Sequence, residues 1–514
     1  MTEQQIAAIS AGIALLTVFL LYAERKARRA PSRSAKRTIG VLLALASIAT
    51  YLHFLQLPGP TFYHRWEMFH YFLGSKYAPE LEYTRLYSCT AIADAETGNR
   101  ARVEKRRMRN LVDDSVVFAR SALEHPEDCT AHFAAARWQE FKQDVAAFRQ
   151  LSGSQPFWES MQLDHGYNPS PVWTLVGHAL TAHTEVSDQS LSRLAWIDPV
   201  LMVAAVAALW WGFGARSAVL ATVFWGTQAP STFAWTGGAF LRQDWLLLCV
   251  IAVACLRKRR PFAAGFALTW AAWLRLFPAL LWSGIAVLMI SQLWRKRNLS
   301  TQFRRMMAGA IVCTALLVPA TWVAGSSSHT WVAFAERIHA HAQSAISNHM
   351  SLRTLIEYSP GTRMEGHWQP AALDPGKVWS DLRTARFARY AAVYWLMVAL
   401  LLAYFARTIW QLRTPWLAAC LSLLLIMVCT DPSSYYFSLW LIAAPVCLAR
   451  PALQLPYIGL AAAGQLLSLQ TLAFDDRFFA LAVLYLVFSL VLVCVFARPF
   501  KKSGIPPDIS PSQL

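Results

Sequence analysis

Charge is scarce in this sequence: 15% of its 514 residues are Asp, Glu, Lys or Arg, against roughly 25% in ordinary soluble domains. With 56% hydrophobic residues, the chain falls outside the soluble multidomain class that its length alone would suggest. It also lacks a P-loop, a Rossmann glycine fingerprint, a CxxC pair and an HExxH helix, which excludes nucleotide-driven pumps and the common zinc enzymes. No metal-ligand cluster stands out, so a reaction free of metal and of resident cofactor is the expectation. There is no heptad, no solenoid period and no low-complexity tract beyond the Pro- and Ser-bearing tail at 503–514.

What is present is a series of apolar runs. Residues 6–22, 39–55, 306–323 and 478–496 approach the ~20 residues that cross a bilayer. They lack period-two alternation, so their backbone groups must be satisfied within helices rather than a barrel. The expectation is an all-α polytopic integral membrane protein with about thirteen transmembrane helices, eleven to thirteen being allowed. The crossings are placed at 6–23, 38–56, 196–213, 217–236, 243–256, 261–274, 277–293, 306–324, 388–406, 415–430, 434–449, 455–470 and 478–497. Residues 172–183 then form a short re-entrant or interfacial helix, because an extra crossing would break the parity. The first run lacks a basic n-region and a cleavage site and is expected to be a retained anchor.

The net charge of +17 and pI near 9.7 do not point to nucleic acid, because the basic residues sit beside span ends. Arg25, Lys26, Arg28, Arg29, Arg33, Lys36 and Arg37 fill one loop. Arg257 to Arg260, Arg295 to Arg305, Arg407 with Arg413, and Arg498 with Lys501 and Lys502 mark others, and the positive-inside rule makes all of them cytoplasmic. The N-terminus is then outside and the C-terminus cytoplasmic, the bacterial inner membrane being the expected location. Four segments follow: an anchor and basic loop at 1–37, a transmembrane core at 38–450, C-terminal spans at 451–497 and a tail at 498–514.

Two large hydrophilic segments, 57–171 and 325–387, fall on the non-cytoplasmic side and are expected to carry amphipathic helices. One is read around Leu111, Val116, Val117, Ala119 and Ala122. The basic cluster Arg100, Arg102, Lys105, Arg106, Arg107 and Arg109 is either a solvated face or a contact for lipid headgroups. Seven of nine cysteines lie in or at apolar runs, where they act as small hydrophobes. Cys89 and Cys129 lie in the first hydrophilic segment, as a disulfide or as two free thiols.

Ionisable residues near span ends are the functional candidates. Glu67, inside the aromatic run from Tyr63 to Tyr77, suits a general base, against an interfacial aromatic belt with incidental charges. Asp164 opens a Pro-bearing turn that returns the chain to the membrane. Arg242 and Asp244 lie between two spans and could pair with each other. Arg275 precedes Pro278 and offers a planar fork suited to phosphate, or snorkels to the headgroups. Ser347 to Arg353 and Asp431 to Tyr436 form two further polar turns.

Several of these features, in order, resemble the GT-C superfamily of membrane glycosyltransferases. They are the Tyr167-Asn168-Pro169-Ser170-Pro171 turn, the step through Gly238, Gln243 and Leu247, and Arg275-Leu276-Phe277-Pro278. Asn348-His349-Met350-Ser351-Leu352 and Pro432-Ser433-Ser434-Tyr435-Tyr436 complete the set, which is most similar to glycosyltransferase family 87, the polyprenyl-phosphate-mannose-dependent type. The chain differs from that pattern in offering Glu67 for an aspartate, Arg275 for a lysine and a tyrosine for the late histidine. The resemblance implies inverting transfer of a mannose-like sugar from a polyprenyl-phosphate donor to a glycan, lipid or protein acceptor. Glu67, or else Asp164, would be the base, and Arg275 and Arg242 would bind donor phosphate. His70, Tyr71, Lys76, His349 and Tyr436 would orient substrate. A transporter or flippase of a lipid-linked solute, or a non-catalytic subunit of a membrane complex, are the alternatives. A transporter would show paired broken helices in two related halves, a symmetry not visible in the sequence.

Overall fold

The computed structural model describes residues 2–27, 32–55, 62–324, 328–470 and 472–497. Arg28, Arg29, Arg498, Lys501, Lys502 and the tail at 498–514 lie outside the described residues.

Among the described residues, six helices are long and apolar enough to cross a membrane: Glu3–Lys26, Asp188–Phe213, Phe277–Lys296, Thr301–Val323, Lys377–Trp410 and Phe474–Ala497. The protein is an α-helical membrane protein. The first helix shows how the sequence sets its ends. Thr2 and Gln5 form a capping box at the start, and Arg25 and Lys26 sit in the last turn, where cations suit the helix dipole.

The remaining expected crossings are helical but shorter or broken. Arg33–Tyr51 has 19 residues with Arg33, Lys36 and Arg37 in its first turns. Pro261–Leu274 has 14 residues, about 21 Å at 1.5 Å per residue against ~30 Å of hydrocarbon. The expected run 217–236 is corrected: the helix Ala215–Thr227 ends at Gln228, which is extended, and only Phe233–Thr236 turns again. Residues 434–449 are also interrupted, Ser434–Ile442 being a tight 3-10 helix before Ala443–Ala449. The segment 172–183 forms the helix Pro171–Thr181, at 11 residues too short to cross, with Ser170 as its cap.

The basic loops gather at one end of the bundle. Glu24 bridges Lys36 at 2.7 Å and Arg216 at 2.9 Å, Arg216 reaches Gln454, Arg260 stacks over Trp211 and Arg295 donates to the Trp410 carbonyl. Both hydrophilic segments sit at the opposite end. The 34-residue helix Lys377–Trp410 is about 51 Å long, so roughly 20 Å of it projects beyond a bilayer core. It therefore starts inside the expected second loop. Its buried Arg383 donates to Asp475, at the first turn of the last helix, over 2.9 Å.

The first hydrophilic segment folds into a unit of short helices around Ala135–Leu151 and packs on the bundle through the common apolar core. One expectation for it is corrected. Residues 107–109 and 116–118 form an antiparallel β pair, not an amphipathic helix. The reason is local: Val116, Val117 and Phe118 favour extended backbone. Asn110 and Asp113 side chains cap the intervening amides of Val112 and Ser115 as Asx turns. The basic cluster is divided: Arg100, Arg102 and Lys105 form an exposed face, while Arg106 is buried and Arg107 and Arg109 are half-buried. Arg106 is buried against Asp94, Arg100 pairs with Glu104 and Arg102 with Glu159. Arg107 binds the carbonyls of Pro370 and Ala372, and Arg109 those of Leu163 and Asp114.

Cys89 and Cys129 are joined in a disulfide that closes a 40-residue separation. Cross-links of this kind stabilise by about 2–4 kcal/mol, mainly by restricting the unfolded chain. Cys129→Ser is expected to make residues 86–161 open to protease at conditions where the oxidised protein resists. Equal cleavage with and without the bridge would show that the surrounding core suffices.

Candidate functional site

Glu67 lies in the one-turn helix Arg65–Met68, whose cap is His64; the imidazole Nδ1 accepts the Glu67 amide at 3.3 Å. The chain widens directly into a π turn, Phe69–Leu73, a bulge often found at functional sites, and this presents His70 and Tyr71. The His64 amide donates to the Gly238 carbonyl at 2.9 Å, so the aromatic run is stitched to the Gly238–Gln243 step. Gly238 has φ +79°, and a Cβ there would fall 2.1 Å from the Phe62 carbonyl oxygen. Only glycine permits this approach.

The same step carries Arg242, whose backbone is held from several directions. The buried Asp198 carboxylate accepts the Arg242 amide at 3.0 and 3.1 Å and the Gln243 amide at 3.2 Å. Trp173 donates its indole N–H to the Leu241 carbonyl and Trp245 its own to the Arg242 carbonyl, each at 2.9 Å. So anchored, the buried guanidinium places Nε 2.9 Å from Glu67 Oε2 and donates from Nη1 to the Tyr71 hydroxyl. It lies over the rings of Tyr71 at 4.5 Å and Tyr435 at 5.2 Å. Arg242 thus pairs with Glu67 and not with Asp244, which instead accepts the Trp245 amide.

Glu67, His70, Tyr71, Asp164 and Arg242 all line one cavity of about 1010 Å³, at the large end of ligand sites. Its far wall comes from the second hydrophilic segment through His341, Ser347 and Asn348. Asp164 accepts the Trp66 indole N–H at 2.6 Å and the His165 amide at 2.8 Å. Burial pushes the Asp164 carboxyl up, but His70, His165 and the Trp66 bond outweigh it and hold it below the ordinary value. His70 is tied down by the Trp66 carbonyl and the Tyr87 hydroxyl, each at 2.7 Å. Burial, with His165, His349 and Arg337 nearby, pushes His341 down to about 3, so it is neutral at pH 7.

The other sequence candidates stand elsewhere. Arg275 is not on the cavity wall, but it is within electrostatic reach of Tyr71, Arg242, Asp244 and Tyr436. Its Nη1 binds the Leu274 carbonyl at 3.1 Å, while Nε and Nη2 are buried with no hydrogen-bond partner. Tyr436 packs beside it in a cluster with Trp245 and Phe277. Lys76 is corrected from an orienting role to a structural one. It is buried in the first hydrophilic unit against Asp144 at 2.7 Å and Glu140 at 2.8 Å, off the cavity wall. Sequence reasoning missed Asp198 and His341: neither lies in a recognisable motif, and only the fold brings Asp198 beside residue 242.

The two late turns pair with each other. His349 and Ser433 form an antiparallel bridge, the Met350 amide donates to the Pro432 carbonyl at 3.0 Å and the Ser434 amide to Asn348 at 2.9 Å. His349 Nδ1 is 3.0 Å from Asp431, and Ser351 donates its hydroxyl to the same carboxylate. Burial pushes Asp431 up, but His349, Ser351 and Arg353 hold it at about 2 against an ordinary 3.8. The folded value lies below the unfolded one, so this stabilisation is complete above about pH 4 and is lost as pH falls through about 2. Hydrogen exchange at the Met350 and Ser434 amides should therefore accelerate across that window beyond its intrinsic pH dependence. Unchanged protection would show that Asp431 does not hold the turns together.

Fold and site together define an α-helical membrane protein with a polar, aromatic-walled cavity at the end of the bundle opposite its basic loops. No family model matches the chain, and no curated protein and no solved structure matches it.

Proposed function

We propose that the protein is a membrane glycosyltransferase of the GT-C type, similar to family 87. In this reading it transfers a mannose-like sugar from a polyprenyl-phosphate donor to an acceptor hydroxyl at the outer membrane face. The observation that carries this reading is the meeting of two carboxylates, Glu67 and Asp164, and the Arg242 guanidinium on one cavity, with the unpartnered Arg275 nitrogens close behind Tyr71. The positive-inside rule assigns the basic end to the cytoplasm, so the cavity faces outward. The N-terminus is then outside and the C-terminus inside, with about thirteen crossings, the shorter helices included.

The chemistry follows from these residues. The acceptor oxygen attacks the anomeric carbon from the face opposite the phosphate, and the acceptor proton passes to Glu67. The bond from the anomeric carbon to the phosphate oxygen breaks, with its electron pair remaining on the lipid phosphate, and the configuration inverts. Glu67 is preferred over Asp164 as base because Asp164 is engaged by two donors and held below its ordinary pKa, which weakens it as a proton acceptor. Arg275 and Arg242 meet the charge that grows on the leaving phosphate, an effect strongest away from water.

The test uses the full chain in lipid nanodiscs with decaprenyl-phosphate-linked mannose and with the glucose analogue, following release of free decaprenyl phosphate in the presence of a membrane-lipid extract. Consumption of at least one donor with transfer of its sugar is expected. Failure to bind or consume either would contradict the proposal and leave a transporter or a structural subunit as the better reading.

A further inference from the structure

We propose that Arg242 guards Glu67, and that an anionic phosphate arriving beside Arg275 draws the guanidinium away and so releases the carboxylate for use. This rests on the sugar-transfer reading and adds an order of events to it: donor first, then a competent base.

The contact between Arg242 and Glu67 is close but poorly made. Nε stands 2.9 Å from Oε2, yet that oxygen is buried without an aligned hydrogen bond. A carboxylate against a guanidinium in this geometry is covered by the cation without being locked by the bidentate fork that makes such pairs strong. The guanidinium lies between the Tyr71 and Tyr435 rings, whose faces favour a cation over a range of positions. The backbone beneath it is fixed by Asp198, Trp173 and Trp245. Any movement is therefore confined to the side chain and costs a rotamer change, not a loop rearrangement.

Arg275 supplies the pull. Two of its guanidinium nitrogens are buried without hydrogen-bond partners, so two desolvated donors stand unused, although the Asp244 carboxylate and the Trp173 ring lie near the charge. It is within electrostatic reach of both Tyr71 and Arg242, so the two cations repel each other across the Tyr71 hydroxyl. A phosphate oxygen set between them relieves that repulsion and offers Arg242 a charge-assisted partner in place of Glu67. Until then the carboxylate stays masked, so an acceptor bound alone meets no free base.

Carbodiimide labelling of Glu67, read by peptide mass spectrometry on the full chain in nanodiscs, tests this without turnover. A carboxyl held against a guanidinium is protected, whereas a released one reacts. Adding decaprenyl phosphate should raise Glu67 labelling about fivefold or more, with half-effect at the lipid's own binding midpoint, and uncharged decaprenol should leave it unchanged. Arg242→Ala, checked for an intact melting transition, should label at the high level with or without lipid. Flat or falling labelling in the unaltered protein while decaprenyl phosphate is measurably bound overturns the guard and leaves the transfer reading standing. Absence of any binding of that lipid overturns the transfer reading beneath it. Lipid-dependent labelling without sugar transfer supports the guard and counts against the enzyme.

Discussion

Glu67→Gln is expected to lower sugar transfer by about 10²–10⁴-fold, the usual contribution of a positioned base, while donor binding is kept or tightened, because the phosphate no longer competes with a carboxylate for Arg242. Glutamine keeps the size of the side chain and an oxygen toward Arg242 Nε, so packing around the 2.9 Å contact changes little. What is lost is the ability to accept a proton. The measurement is single-turnover transfer at saturating donor beside a thermal melt of the same preparation. A loss of rate with an unchanged melt assigns the residue to chemistry. Full activity would remove Glu67 as base and turn attention to Asp164, the other carboxylate on the cavity.

The largest stability effect is expected at Asp94, in the first hydrophilic unit. This carboxylate is almost wholly buried and accepts from Arg106 at 2.5 Å, Arg149 at 2.9 Å and the Trp158 indole at 2.8 Å. Asp94→Ala leaves the buried Arg106 without its counter-charge and Trp158 without an acceptor. Removing one side of a buried pair typically costs about 3–5 kcal/mol, enough to unfold a marginal unit. The Ser152–Gly153–Ser154 turn and Phe157, which follow Ala135–Leu151, also line the cavity, so activity should fall with the unit. Protease protection of residues 86–161 measures the effect, and a change below about 1 kcal/mol would mean that the aromatic core around Trp158 and Phe69 carries the unit alone.

The membrane class was legible because apolar runs leave no other option, and the short helix expected near 172–183, re-entrant or interfacial, is present as Pro171–Thr181. Glu67, Asp164 and Arg242 were each legible as polar residues beside span ends. Their convergence was not, because it depends on Gly238 seating against His64 and on Asp198 holding residues 242 and 243, contacts between segments far apart in sequence. Lys76 shows the opposite failure. It sits in the same aromatic run as Glu67, but nine residues later its ammonium faces Asp144 and Glu140, carboxylates of the helix Ala135–Leu151 that no local pattern connects to it. The β pair at 107–118 was missed because its apolar residues also satisfy helical spacing over so short a stretch.

Imaging the full chain by electron cryomicroscopy with decaprenyl phosphate in the nanodisc tests the account most directly. Phosphate density within hydrogen-bond distance of Arg275 Nε or Nη2, with Arg242 turned toward it and the cavity beside Glu67 open, is the predicted result. Density for the phosphate among the basic loops at the other end of the bundle, with Arg275 Nε and Nη2 still without hydrogen-bond partners, would contradict it.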